Sequence, residues 1–545
     1  MTRMKRLAVF AVSAAMVFAA CGGDDDDANE QTSVEPSDVT DATDSGETGD
    51  TTATTDSGDT DEPAPERAER LTLAMGLPST SFQAPHGEFG NRNLFYQTIY
   101  DGLLRIEPDG RTVYPWLATE WSYNDDNTVL TMTLRDDVTF SDGTPFNADA
   151  AAQNLIRFRD GNGIAAQNLA DMTDAVATDE FTLEITLGAP NPALLTYLAQ
   201  AAGLMQAPSS FEDPEADQWP IGSGAYVLDR DRTVIDSEYV YTARDDYWSP
   251  DTVYYDEIVL RTIPDGQAIV AAMLAGEVNG GNVFNFQSNA ELEAAGLDLD
   301  QQEQDWAGFS LIDRCGDLGS PLNNLLVRQA ISHAVDREAI LASFGGGYGT
   351  VSGQVFRPGS AGFDESLDSM YPYDVEKAKA LIAESGVEPF TLTMPAAFAF
   401  FGDAVYAILS DSLAEVGITV EYEEPPIADF ISELLTPKYP GYFMFLEQNP
   451  NDWAFINFLI APTAVWNPGG CTDETVSSLV EQIQLSTDDA ERDALVADLG
   501  RHVIEQAWYV PFYRVAATFA TDSDTAVTLQ TGNVIPFIWN IKPEG

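Results

Sequence analysis

Across residues 128–134 small polar and apolar side chains alternate, the period-two pattern of a strand with one buried face. Asp136-Asp137 marks a turn, and Val138-Thr139-Phe140 predicts that the strand resumes. Asp142-Gly143 turns again, because glycine takes backbone angles that other residues avoid. Asn147 stands where an N-cap belongs, ahead of a helix with Ala150, Leu155, Ile156 and Phe158 on its apolar side. The same reading predicts strands over 70–75, 226–228 and 258–263 and a helix over 267–274. Leu326, Ala330, Ile331, Ala334, Ile340 and Leu341 recur near helical spacing and predict one helix over 325–341. A helix over 404–416 stops at Gly417 before a strand at 418–420. Residues 479–506 read as helical in two pieces, since Ser486-Thr487-Asp488 joins a stop to a new N-cap.

The N-terminus follows a different pattern. Arg3, Lys5 and Arg6 precede an apolar run over 7–18, too short to span a bilayer comfortably, and the small pair Ala19-Ala20 precedes Cys21. This is the pattern of a secretory signal over residues 1–20. The end of it is similar to a bacterial lipobox, with Phe18 where leucine is usual. The similarity implies lipid on Cys21; an ordinary signal peptide with an incidental cysteine is the alternative. Residues 22–66 hold 16 acids and no Lys or Arg, with almost no apolar side chains. Such a segment cannot bury enough surface to fold, and residues 21–66 are expected to be a solvated, self-repelling tether.

The chain has 545 residues, 44% of them hydrophobic, room for two or three domains. Its net charge is −62, from 88 acids against 26 bases. That surface repels nucleic acid and anionic lipid headgroups. Only five of the bases are lysine. Acid-rich, lysine-poor composition suits work in salty water, where screening weakens self-repulsion; a cationic cargo is the rival explanation. The spread of charge along the whole chain favours the first. Cys315 and Cys471 remain as a disulfide, which an extracytoplasmic compartment permits, or as two free thiols; the polar, glycine-containing loops beside both favour the bridge.

No catalytic constellation emerges. His86, His333 and His502 are the only histidines, none at metal-ligand spacing with Glu or Cys. Gly222-Ser223-Gly224 lacks the flanks of a nucleophile elbow, and residues 345–349 lack the Lys-Ser/Thr of a phosphate loop. No metal and no cofactor are expected.

A series of segments closely resembles the peptide/nickel-binding family (family 5) of ABC-importer solute-binding proteins. They are Pro115, Leu117-Ala118, Trp121, Leu134-Arg135, Val138, Phe140, Asp142-Gly143 and Pro145; Gly222, Gly224 and Tyr226; Asp246-Tyr247-Trp248; and Leu274 with Gly276-Glu277-Val278-Asn279. Farther on come Val327-Arg328-Gln329-Ala330-Ile331, Ala334-Val335-Asp336-Arg337-Glu338, the 373–382 helix and Val510-Pro511-Phe512-Tyr513-Arg514. The resemblance covers residues 70–545. It implies an α/β fold of two lobes, periplasmic-binding-protein-like (type II), with a cleft between the lobes and an extra subdomain over about 106–219 in the first. Lobe I is expected over 67–303 plus 509–545, and lobe II over 304–508, with crossings near Gln304 and Tyr509.

A cleft that captures a solute needs apolar and aromatic walls with a few orienting polar groups. Residues 305–314 and 445–453 offer that mixture, and Trp306, Arg314, Asn449, Asp452, Trp453 and Trp466 are the expected ligand-binding residues. In peptide-binding relatives an Asp-Pro turn in the second segment meets the peptide's α-amino group. Here Asn449 precedes Pro450, and Asp452 stands three residues later, either as the substitute acid or as the cap of a helix over 453–459. The resemblance implies a monomeric, non-enzymatic receptor, a short peptide as cargo and ABC permease subunits as partners. A surface-anchored hydrolase with paired carboxylates, or a ligand sensor without transport, are the alternatives.

Overall fold

The structure is a computed structural model that describes residues 67–163, 165–283, 288–426 and 429–544. The signal segment, Cys21 and the acidic tether lie outside the described residues. Among those described, no helix is long and apolar enough to cross a membrane.

A nine-stranded mixed sheet is the frame. Its order is Gly441–Glu447, Asp298–Leu311, Tyr509–Thr521, Gly280–Val283, Ala68–Met75, Tyr255–Thr262, Glu238–Ala243 and Tyr226–Leu228, with Thr350–Val351 also on Tyr509–Thr521. The strand Ala68–Met75 runs parallel to both neighbours, Tyr255–Thr262 and Gly280–Val283. Two long antiparallel strands, Asp298–Leu311 and Tyr509–Thr521, pass from one lobe to the other. At one end they meet Gly280–Val283 through Thr521; at the other, Gly441–Glu447 pairs with Asp305–Leu311. The pairing skips Gln304, a bulge between Glu303 opposite Ala516 and Asp305 opposite Val515. A bulge leaves one residue unpaired and bends its strand.

One lobe packs Leu71, Phe95, Tyr239, Tyr241 and Leu260 into its own core. The other buries Phe309, Val327, Leu409 and Phe443 under the helices Leu325–Ala334 and Phe398–Ala414. A separate four-stranded antiparallel sheet, Ala118–Tyr123, Val129–Leu134, Thr182–Leu187 and Met172–Asp179, carries the helix Ala148–Asp160. Its core is continuous with Trp306, Trp453, Phe455 and Trp466 from the second lobe.

The helix Ala148–Asp160 begins where the sequence places it, with Asn147 accepting from the Ala150 amide at 2.9 Å. Asp488 likewise caps Asp489–Glu505 after Glu474–Leu485 ends. Two expectations are corrected. Residues 138–140 do not resume a strand; Thr139 makes one isolated bridge to Pro145, because Phe140 and Phe146 turn inward against each other instead. The single helix expected over 325–341 is two, Leu325–Ala334 and Arg337–Ser343. Asp336 leaves helical geometry to accept from the Ala339 amide, and so caps the second helix.

The family-like segments are structural. A β-carbon at Gly222 would lie 2.2 Å from the Ile99 carbonyl oxygen, and one at Gly224 would lie 2.5 Å from the Ile99 carbonyl carbon, so only glycine lets these backbones touch. Asp101, 4% exposed, accepts from Trp116 Nε1 at 2.8 Å, Tyr247 OH at 2.8 Å and Trp248 Nε1 at 3.1 Å. Arg105 lies over the Trp116 ring at 3.2 Å and approaches Asp101 at 3.9 Å. One buried carboxylate thus ties the Pro115 region to the Tyr247-Trp248 pair.

Candidate functional site

The sheet bulge brings the middle of Asp298–Leu311, at Gln304 and Asp305, to a cavity of about 690 Å³. Glu88, Phe89, Asn168, Asp171, Tyr197 and Gln200 form one wall; Asp305, Phe445, Glu447, Asn449, Trp453, Phe458 and Trp466 form the other. The volume falls within the usual range for small-molecule sites, roughly 300–1,000 Å³.

Four polar contacts hold the walls together. Arg111 donates through Nε to the Pro450 carbonyl at 3.0 Å and through Nη2 to Asp452 Oδ2 at 3.3 Å. Asn451 Nδ2 donates to Thr196 Oγ1 at 3.0 Å, and Gln484 Nε2 to the Pro190 carbonyl at 3.1 Å.

Of the six residues expected to bind ligand, Asn449, Trp453 and Trp466 line the cavity. Asn449 Nδ2 donates to Glu447 Oε1 at 3.2 Å, while its Oδ1 accepts from the Asn451 amide at 2.9 Å. Trp466 tilts against Tyr442 and Phe458, at 6.1 and 6.0 Å between ring centres. The other three take other places. Trp306 is 0% exposed and packs edge-on against Tyr509 at 5.6 Å; side chains alternate along a strand, so it turns away from Asp305 and into the core. Arg314 is buried under Trp508, where it donates to the Leu311 carbonyl and to Asn467 Oδ1 at 3.0 Å. It braces the Cys315–Cys471 bridge (S–S 2.02 Å, Cα–Cα 5.7 Å) by donating through Nη2 to the Cys471 carbonyl at 3.4 Å. Asp452 accepts from Ser360 Oγ, from the Ala361 amide at 3.1 Å and from Arg111, which commits it to the contact between walls. Asp452 is also not the helix cap. Asn451 is, accepting from the Ala454 amide at 3.1 Å; the helix Asp452–Phe455 then widens into a π-turn, Ile456–Ile460.

Asp305 and Glu447 lie inside the two segments expected to wall the cleft without being among the six expected ligand-binding residues, and Asp171 lies outside both. Asp305 and Glu447 are register partners on adjacent antiparallel strands, so their side chains leave the same face. Burial, with Glu447 alongside, raises Asp305 to about 7. Burial raises Glu447 against the opposing pull of Asn449, and it raises Asp171. Burial also lifts the Tyr197 phenol, with Glu447 and Asp171 both adding to the rise, which places that hydroxyl within the field of both carboxylates. Glu88 has a cation, Arg92 at 3.4 Å, although burial still raises it. Among the described residues that line the cavity there is no Lys, Arg or His.

Paired carboxylates in a cleft are what a glycosidase requires, but there they flank a bond from opposite sides. Asp305 and Glu447 stand side by side on one wall. His333 Nδ1 is occupied by the Pro372 carbonyl at 2.8 Å, and no group of three or more metal-ligating side chains forms among the described residues.

Two lobes joined by long shared strands around a cavity define a solute-binding protein, and solved structures carry the same fold. The peptide-complexed periplasmic binding protein DppA of Helicobacter pylori superposes with a TM-score of 0.74 at 21% identity, over 88% of this chain and 99% of that one. NikA of Brucella suis, in complex with Fe(III)-EDTA, gives 0.74 at 22%, over 87% and 100%. The glutathione-binding protein GsiB of Escherichia coli (strain K12) is 26% identical over 464 residues, 82% of this chain and 88% of that protein. The sequence model for the bacterial extracellular solute-binding proteins, family 5, matches residues 112–462, and the chain belongs to that family. It is an extracytoplasmic solute-binding protein of an ABC importer, not an enzyme.

Proposed function

We propose that this receptor captures a short peptide or a solute of similar size between its lobes and hands it to the permease of its importer, acting as a monomer held to the membrane by lipid on Cys21. The observation that carries the reading is the cavity of about 690 Å³, walled by residues from 88–200 on one side and from 305–466 on the other and fastened across by Arg111, Asn451 and Gln484. A ligand drives closure only by the contacts it makes in the closed state beyond those in the open one. The lobe border in this reading falls at the Gln304 bulge and, on the returning strand, opposite it at Val515-Ala516 rather than at Tyr509. The extra subdomain extends over about 106–219 and supplies Asn168, Asp171, Tyr197 and Gln200 of the first wall.

Thermal unfolding of the purified protein against pools of short peptides, amines and sugars tests the reading. A ligand that raises Tm and reduces the radius of gyration in solution scattering supports it. No response to any pool would remove the solute-capture role. Growth of cells expressing Cys21→Ala, with the protein appearing in the medium rather than in membranes, tests the anchor.

A further inference from the structure

We infer that the cargo is a cationic amine without a free carboxylate, its ammonium group seated by Asp305 and Glu447. This rests on the receptor reading above and specifies what the receptor takes. Like charges directly opposite one another in an antiparallel pair are destabilising, yet Asp305 faces Glu447 in register. Nothing among the described residues neutralises them. Asp305 has no hydrogen-bond or ion-pair partner among the described residues, and Glu447 has only the neutral Asn449 amide. Asp171 across the cavity has no cation either. Asp305 and Glu447 are both half-buried at the cavity wall, and two adjacent carboxylates drawn part-way out of water without a counter-charge are destabilised. A ligand that brings the charge recovers that cost on binding.

A second observation narrows the chemistry. Trp453 (4% exposed) and Gln200 (8% exposed) both line the cavity, and Trp453 Nε1 and Gln200 Nε2 have no hydrogen-bond partner. Ammonium cannot serve these donors; neutral acceptors such as an amide carbonyl or a hydroxyl can. A free carboxylate is disfavoured in the same space. Two like charges about 8 Å apart at an effective dielectric near 20 repel by roughly 2 kcal/mol, and four carboxylates, Glu88, Asp171, Asp305 and Glu447, line this cavity with no Lys, Arg or His among the described lining residues. Burial and Glu447 raise Asp305 to about 7, so near pH 8 Asp305 carries its negative charge beside Glu447. The net charge of −62 adds a field that gathers cations at the protein surface.

The test is calorimetry on the dialysed protein at pH 8 and low salt with a matched pair, lysyl-alanine amide and lysyl-alanine, plus spermidine. The amide should bind at least about tenfold more tightly than the free acid, and added salt should weaken it. Asp305→Asn and Glu447→Gln should each cut amide affinity by about tenfold or more with unfolding temperatures no lower than the parent's, since both substitutions remove a buried repulsion. Equal or tighter binding of the free acid, no binding of amide or spermidine at millimolar concentration, or unchanged affinity in both variants would overturn the inference. A neutral or anionic solute that closed the lobes would refute this specificity and leave the receptor role standing.

Discussion

Asp101 is a carboxylate fully removed from water and Asp305 a half-buried one at a cavity wall, and the protein treats them in opposite ways. Asp101 receives three N–H or O–H donors, with Arg105 close by. Asp305 receives none and is set against a second acid. Burial pushes both upward from the ordinary carboxylate range, but at Asp101 every other influence opposes that rise, whereas at Asp305 Glu447 adds to it. A buried acid surrounded by the protein's own donors is a structural knot. A half-buried acid left without them at a cavity wall is a socket, and its missing partner has to arrive from outside.

The comparison breaks most sharply at the knot. Asp101→Ala leaves two indole N–H groups and a phenol unsatisfied inside the first lobe and should cost about 3–5 kcal/mol in urea unfolding. Asp305→Asn should do the reverse. With its folded value near 7, above the unfolded value, the native state holds the extra proton between about pH 4 and 7. Stability from this group is therefore full in acid and lost as pH rises through 7. Glu447 is the charged neighbour that acts on it. The variant should match the parent near pH 4 and exceed it by about 2 kcal/mol at pH 8, ligand-free, and a parent that does not weaken relative to the variant between those values would contradict the assignment. Tyr247→Phe removes one of the three donors at the knot and should cost about 1 kcal/mol, well short of the loss on deleting the acceptor. Arg111→Ala, at an ion pair 41% exposed on the arginine side, should leave stability within about 0.5 kcal/mol. Its effect should appear instead as a few-fold faster ligand dissociation in stopped-flow fluorescence, because it loosens one wall from the other.

The two kinds of site were not equally legible. Caps and stops are local: Asn147 and Asp488 announce helix starts because a short polar side chain ahead of an apolar periodicity has one good use. The break at Asp336 uses the same signal, and it is masked because the apolar spacing of residues 326–341 continues through it. The aromatic cavity residues Trp453 and Trp466 stand out by rarity, but Trp306 shares that rarity and faces the core. Strand alternation separates Asp305 from Trp306, and it becomes usable only once the register against Gly441–Glu447 is known. Asp171 is hidden by abundance, one acid among 88 with nothing in its flanks to mark it, whereas Asp305 and Glu447 fall inside the two segments marked as cleft walls but are overshadowed there by the tryptophans, Arg314 and Asp452. Asp452 looked like the acid of the site because of its distance from Pro450. Arg111, some 340 positions away in sequence, claims it, and that pairing exists only in three dimensions.

The unbroken sheet also has a bearing on the mechanics of the receptor. Because Asp298–Leu311 and Tyr509–Thr521 remain hydrogen-bonded on both sides of Gln304, the lobes are joined by a leaf spring rather than by a slack joint. A spring restricts rotation to the one direction in which two strands twist most easily, and it returns the molecule along the same path after each load. Lengthening the bulge by one inserted residue beside Gln304 would turn every following side chain of that strand to the opposite face, Asp305 included. The bulge at Gln304 therefore also sets which charge the cavity presents.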